Sequence, residues 1–427
     1  MLHLIALGYF QLLRYPWIYL AMIIFILLQY RRTQKTERAA FNVKISHPWL
    51  EWVLSIGAGI FAGIVVTLAL AFLHLDATPT DAIWLWGAVA VLGLFDVRLS
   101  CIAYGVAPLG ILQALMRYAA DKGVHAPLWL LSAANLDLRS LLLMVGIVHV
   151  VEGLLIYIFS KRGASPLFVQ SRRGQVVGAY LIQYFWALPL VVMTSTGTFV
   201  PFPVLIGFGG MVIGDIPSRE ARQSAPYLLV YGLFMTGLTL ALTNFPTLYA
   251  YEAILSGALH GLVYVYFRTR AKDAQPVFVR PNRGVKVLAT VYNSPSRKMK
   301  LTAGEIILKV ANMVVNSPYD IHFALDQNPA YVKLEVMDLR GEIRFVGTPI
   351  YFSDPHQLGV IIVPDEHARE YAKVYHMGIG KWLWRWWSSR SRLLVVGERA
   401  VMREASAYLK SQGGAAVDQD VSQQFLG

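Results

Sequence analysis

The chain holds one cysteine, Cys101, among 427 residues. A single thiol makes no internal disulfide and by itself builds no thiolate metal site, so a secreted disulfide scaffold is excluded. Charge is scarce too. Only 15% of the residues are Asp, Glu, Lys or Arg, against about 25% in an ordinary soluble domain. That charge is spread unevenly. Residues 1–270 carry 18 basic and 11 acidic side chains, whereas the shorter stretch 271–427 carries 20 and 15. A wholly soluble enzyme and a disordered chain are therefore excluded. No small-residue cleavage site follows the first apolar segment, which runs instead into Arg31 and Arg32, so no cleavable signal peptide is read. A phosphate loop is missing as well. Residues 207–214 are dense in glycine but apolar, with no following Lys-Ser/Thr. No cofactor is expected.

What is present is hydrophobic sequence: 56% of the residues, with a mean hydropathy of +0.48. A membrane span needs about 20 apolar residues. Residues 52–75, 141–159, 176–193, 227–242 and 248–267 meet this. Residues 16–30 are short but adjoin Leu12 and Leu13. Residues 82–95 and 101–115 are short and separated by Asp96 and Arg98, and read as two thin spans or one re-entrant hairpin. Residues 199–213, rich in Gly and Pro, are the weakest candidate. The fold class expected is a polytopic α-helical membrane domain over 1–270, with about six to nine helices.

The net charge of +12 would raise nucleic acid as a partner for a soluble chain. Here the basic residues sit in short loops, as cytoplasmic flanks of membrane helices do, and no nucleic acid is expected. With nine spans and the N-terminus outside, the inner loops hold Arg31, Arg32, Lys35, Arg38, Lys44, Arg98, Lys161, Arg162, Arg172, Arg173, Arg219 and Arg222. The outer segments hold Arg14, Arg117, Lys122 and Arg139. The positive-inside rule then places everything after residue 268 in the cytoplasm.

Ionisable residues in or beside spans are functional candidates by default: Asp96, Arg98, His149, Glu152, Asp215, Glu252 and His260. The simpler reading pairs them inside the bundle. His149 and Glu152 are three apart and share a helix face, which is half of a metal site. A zinc protease would need His-Glu-x-x-His, but the sequence reads His149-Val150-Val151-Glu152-Gly153. The ligand set is not closed, and no metal or catalytic residue is assigned.

Beyond residue 281 the pattern changes to alternating strands and turns. Residues 284–291 are β-branched and largely alternating, so they read as a strand. Asn293-Ser294-Pro295-Ser296 is turn chemistry. Residues 306–310 read as a short buried strand, and Val314 and Val315 as a brief pairing segment. Ser317, Pro318 and Asp320 supply an N-cap, a proline in the first turn and a carboxylate near the dipole, predicting a helix over 317–325. Residues 331–336 and 342–346 flank Asp338-Leu339-Arg340-Gly341 as a hairpin.

Gly284-Val285-Lys286-Val287, Asn293-Ser294-Pro295, Leu301 to Gly304-Glu305-Ile306-Ile307-Leu308-Lys309-Val310, and the helix over 317–325 together resemble a bacterial PDZ domain over 281–363. Glu305 stands for the family's usual Asp, and Ala311-Asn312 for its Asn-Gly. The resemblance implies a small α+β barrel or sandwich that binds an extended peptide by adding it to a sheet edge. Its groove would run between strand 284–291 and helix 317–325. Arg283 and Gly284 would stand at the carboxylate loop, Val285 and Val287 on the strand, and Ile321, Ala324 and Leu325 on the helix wall. The simpler reading makes these residues core, since alternate strand positions face inward in any case. No clear Gly-Leu-Gly-Phe loop precedes the strand.

A multi-span domain followed by one PDZ-like unit is similar to the MinJ-type proteins of Gram-positive bacteria, as are residues 153–178 and 183–189. That resemblance implies a non-enzymatic adaptor at division septa and poles, bridging a DivIVA-type scaffold to the MinC/MinD inhibitor. The cytoplasmic division proteins, a MinD-type ATPase among them, would be met through the PDZ-like unit and the basic loops, such as 161–174. A second copy of the chain stays open as a further partner. The alternatives are a transporter drawing on Asp96, Arg98, Glu252 and His260, and an intramembrane protease. Residues 364–412 contain Trp382, Trp384, Trp386 and Trp387 among cations, which read equally as a bilayer-interface contact or as an aromatic face packed on the PDZ-like unit. A strand over 392–397 and a helix over 398–411 follow. Residues 413–427 read as a disordered tail.

Overall fold

The computed structural model describes residues 16–364, apart from 46–48, 126, 172, 195–198, 328–329 and 352–357, together with 9–10, 12, 371–372 and 395–396. Its N-terminal part is helical. The helices are α1 (Pro16–Phe41), α2 (Leu50–Phe72), α3 (Pro79–Phe95), α4 (Ile102–Asp121), α5 (Leu138–Phe159), α6 (Pro217–Ala241) and α7 (Tyr249–Asp273). Among the described residues, three helices are long and apolar enough to cross a membrane: Leu50–Phe72, Leu138–Phe159 and Pro217–Asn244. The bundle keeps large apolar side chains on its outside, such as Phe61, Phe72, Phe95, Val230 and Leu262. Those faces suit lipid rather than water.

α5 is the central helix, with most of its side chains buried. Glycines let its neighbours approach. A Cβ at Gly146 would stand 2.8 Å from the Thr236 nitrogen, and one at Gly232 would stand 2.5 Å from the Gly146 oxygen, so α5 and α6 touch backbone to backbone. α3 starts on a capping box, with Thr78 and Asp81 exchanging bonds. The buried Asp81 also accepts from the Asp137 N–H at 2.9 Å, which ties α3 to the start of α5.

Two of the segments expected to be spans are strands instead. β1 (Ala164–Gln170), β2 (Val176–Leu188) and β5 (Val204–Val212) form an antiparallel sheet in the order β1-β2-β5, and β3 (Val191–Met193) pairs with β4 (Phe199–Pro201). Residues 176–193 and 199–213 thus make one long hairpin. It lies alongside α2: a Cβ on Gly59 would meet the Ala187 oxygen at 2.4 Å, one on Gly63 would meet the Pro189 nitrogen at 2.9 Å, and the Val191 N–H reaches the Thr67 hydroxyl at 3.1 Å. Trp186, Leu188, Leu190 and Phe202 are almost wholly buried in the same core as α5. Non-helical backbone at the depth of membrane helices is tolerated only where protein covers it, and here Trp186, Leu188, Leu190, Val192, Val200 and Phe202 of the hairpin are covered. Such strands read as continuous hydrophobic runs, which is why they resemble spans. The glycine-dense stretch expected to bind no nucleotide is β5.

The C-terminal part follows the expected order. β6 (Val285–Thr290), β7 (Ile306–Val310), β8 (Met313–Val314), α8 (Pro318–Gln327), β9 (Tyr331–Met337), β10 (Ile343–Pro349) and β11 (Val360–Ile362) form a sheet ordered β10-β9-β7-β6-β11 with one helix against it. Val285, Val287, Ile307, Val310, Val332, Leu334 and Val336 fill a core of their own with Ile321, Ala324 and Leu325 of α8. The other face of β6 and β11 joins the membrane-side core through Leu288, Ala289, Val291, Ile361 and Val363. Gly178 of β2 bonds to the Phe278 carbonyl at 2.9 Å, and the Tyr180 hydroxyl donates to the Leu288 carbonyl. The two sheets are therefore held together.

Candidate functional site

β6 is paired on both sides, with β7 and with β11. It has no free edge, so the groove expected along 284–291 is displaced by one strand. Among the described residues the sheet's edges are β10 and β11, and β11 is the edge beside α8. Gly359 and Val363 bond toward β6, through Val291 N–H to Gly359 O at 2.9 Å and Val363 N–H to Lys286 O at 3.0 Å. Alternation then turns the N–H and C=O groups of Val360 and Ile362 outward. A groove of about 340 Å³ runs between this edge and α8. Pro318, Ile321, His322 and Leu325 form the helix wall, and Leu358 to Ile362 the strand wall.

The groove's end is built by a glycine loop. Gly359 has φ +68°, and a Cβ there would lie 2.2 Å from Cβ of Ser294. Only glycine fits both demands. Ser296, fully buried, donates to the Gly359 carbonyl at 2.8 Å, and its hydroxyl meets that of Ser294 at 2.8 Å. The Asn-Ser-Pro-Ser turn read in the sequence thus serves to hold Leu358-Gly359-Val360. Phe41 and Val43 close another side of the groove. That segment is anchored by the buried Glu37, which accepts from Ile45 N–H at 3.0 Å and from the Ser165 hydroxyl at 2.9 Å.

α8 is fixed by its N-terminus. Asp320 accepts the N–H groups of Asn316 (2.8 Å) and Ser317 (2.9 Å), and its own N–H meets the Ser317 hydroxyl at 3.2 Å. These bonds, the Asn316 N–H foremost, hold its carboxyl below the ordinary range. Across the sheet, Arg344 grips both oxygens of Glu305, at 2.9 and 2.8 Å. The Glu305 carboxylate is thereby engaged.

The expected site residues divide. Arg283 is exposed at the turn before β6, away from the groove lining. Gly284 is buried at φ +78°, its N–H held by Asn316 Oδ1 at 2.9 Å. Val285 and Val287 belong to the core. Ile321 and Leu325 line the groove, and Ala324 is buried behind it. Trp382, Trp384, Trp386 and Trp387 lie outside the described residues. The Leu358-Gly359 loop was missed. Its signal was a glycine between apolar residues ahead of the β-branched run 360–363, placed after the helix rather than before the first strand.

A second cluster lies within the bundle. His149 and Glu152 share a face of α5 as their spacing implies, with 3.8 Å between Nε2 and Oε2. The structure adds Cys101, at the start of α4, with Sγ 3.2 Å from His149 Nε2, and His260 of α7, with Nε2 3.8 Å from that sulfur. Helices distant in sequence bring these together, which spacing along one helix does not reveal. The other polar candidates are paired: Asp96 caps the turn at Arg98 N–H (3.0 Å), Asp215 meets Arg219 at 3.3 Å, and Glu252 accepts from Thr239 Oγ1 at 2.6 Å.

No family model matches the chain. Among curated proteins it is 27% identical over 366 residues to the cell division topological determinant MinJ of Bacillus subtilis (strain 168), covering 79% of this chain and 89% of that protein. It is 26% identical over 333 residues to probable cell division topological determinants MinJ of Lacticaseibacillus paracasei and of Lacticaseibacillus casei (strain BD-II), covering 73% of this chain and 85% of each relative. The resemblance carried by the motifs thus extends over most of the sequence, and the chain is a homologue of the MinJ-type proteins.

Proposed function

We propose that the chain is a non-enzymatic membrane scaffold that takes part in choosing the cell division site, holding extended peptides of cytoplasmic division proteins in a PDZ-like groove between β11 and α8. The observation that carries this is the open β11 edge beside an apolar helix wall. A peptide strand laid there gains main-chain bonds from Val360 and Ile362 and apolar contact from Ile321 and Leu325. The Leu358-Gly359 loop would receive its carboxylate end, with Arg297 and Lys298 in the adjoining turn.

The topology agrees. The hairpin 176–213 enters and leaves on one side, so removing both segments from the span count keeps the N-terminus outside and the C-terminal sheet in the cytoplasm. The balance of basic loop residues stays at twelve inside against four outside, because no charge lies between the two segments. The relatives' name supplies the division role, and a DivIVA-type scaffold and a MinD-type ATPase are the partners proposed. Two partners held on one chain at the membrane raise each other's effective concentration. The test is a C-terminal fluorescent fusion of the full chain in dividing cells. Enrichment at septa and poles is expected; uniform peripheral fluorescence in dividing and non-dividing cells alike overturns the reading.

A further inference from the structure

We propose that Cys101, His149 and His260 form a binding site for one Zn²⁺-class transition-metal ion, with Glu152 beside His149 as the nearest carboxylate, which ties the start of α4 to α5 and α7. The ligand atoms of Cys101, His149 and His260 all lie within 4.8 Å of one another. Around a tetrahedral ion with Zn–N near 2.0–2.1 Å and Zn–S near 2.3 Å, ligand atoms stand roughly 3.3–3.6 Å apart. The edges here are 3.2 Å from Cys101 to His149, 3.8 Å from Cys101 to His260 and 3.8 Å from His149 to Glu152. One edge falls just below that range and two fall just above it.

The hydrogen bonding suits a ligand set. His149 Nδ1 lies 2.7 Å from the Val145 carbonyl, which only accepts. Nδ1 therefore carries the proton, and the Nε2 lone pair faces the cluster. This is the arrangement that orients metal-binding histidines elsewhere. His260 Nδ1 is buried without a hydrogen-bond partner, so the ring's polar contact runs through Nε2 to the sulfur. Aromatic rings hold both imidazoles in place. Tyr231 lies edge-on at 5.0 Å from His149 and 5.5 Å from His260, Tyr104 at 4.9 Å from His260, and the Tyr231 hydroxyl is bonded to Ser256.

Charge suits the surroundings too. The Cys101 thiolate cancels one charge of a divalent ion, the Glu152 carboxylate 3.8 Å from His149 offsets the other, and two neutral imidazoles add nothing, so the filled site and its neighbour are together neutral inside an apolar bundle. A soft sulfur with imidazole nitrogens selects Zn²⁺ over Mg²⁺ or Ca²⁺. On binding, the Cys101 S–H bond breaks, the S–Zn bond forms, and the proton leaves to solvent.

The test is the metal content of the full chain, purified in detergent with a histidine-free tag after growth with added Zn²⁺ and a chelator wash. Wild type is expected to keep about one Zn²⁺ per chain, and monodisperse Cys101→Ser and His260→Gln variants to fall to the buffer background. Wild type loaded with Co²⁺ is expected to show thiolate-to-cobalt charge-transfer absorption, a readout that needs no variant to fold. Wild type that takes up neither ion overturns the proposal. So does a Cys101→Ser variant holding as much metal as wild type, which would leave Cys101 as a simple S–H donor to His149.

Discussion

The β1-β2-β5 sheet and the β10-β9-β7-β6-β11 sheet differ in what covers their faces. The first shares one core with the helices. Trp186 of β2 lies 6.0 Å from Phe159 of α5, ring to ring, and Ala187 lies against Gly59 of α2. The second has its own core, closed by α8, and touches the first mainly through the outer face of β6 and β11. One sheet is thus part of the bundle's interior, while the other is a nearly self-sufficient unit docked onto it. The docking leaves the β11 edge and α8 free to form a groove.

The comparison is broken most strongly by emptying each core in turn. Trp186→Ala is expected to cost about 3–5 kcal/mol and Ile307→Ala about 2–5 kcal/mol. Thermal unfolding of the detergent-solubilised chain should show the first lowering the whole-bundle transition. The second should lower only a C-terminal transition. A single transition that shifts equally in both variants would mean the sheets do not differ in the way described.

The contrast also explains what was legible. The C-terminal strands alternate, as in Tyr331–Met337, where Val332, Leu334 and Val336 face inward between exposed or half-buried residues. Their period of two announces a half-buried sheet. Val176–Leu188 is buried on both faces along much of its length, so alternation vanishes and the run imitates a span. Its Val, Tyr, Ile, Phe and Trp content, and the glycines of 207–210, were the remaining signs of strand. The groove was partly legible: helix 317–325 was placed, but the strand beside it was not. Pairing partners are long-range, and nothing local says that residues 360–362 return to β6. Cys101, His149 and His260 were unreadable as a group for the same reason.

Smaller changes sharpen the comparison at the groove and the seam. Gly359→Ala is expected to cost about 1–2 kcal/mol from its left-handed backbone alone, with the Ser294 contact in addition, and to lower the C-terminal transition only. Tyr180→Phe removes the bond to the Leu288 carbonyl, worth about 1 kcal/mol. It should increase protease cleavage between α7 and β6 without lowering either transition much. Ser317→Ala loses an N-cap bond worth about 1 kcal/mol. The partner carboxylate of Asp320 is held below its usual range, so its contribution is full above the ordinary carboxylate range and is lost as pH falls through the depressed value. The difference in melting temperature between Ser317→Ala and wild type should therefore narrow in acid.

The most direct test of recruitment uses Ile362→Pro. Proline there removes an outward N–H of β11 while the bonds to β6 remain, and the residue before it, Ile361, is already extended. A fluorescent MinD-type ATPase is followed in dividing cells that carry either the wild-type chain or this variant. The account predicts that the variant still reaches the membrane at septa and poles, while the ATPase loses its enrichment there. An ATPase that stays at septa and poles beside a correctly placed variant would contradict the claim that the β11 edge does the recruiting.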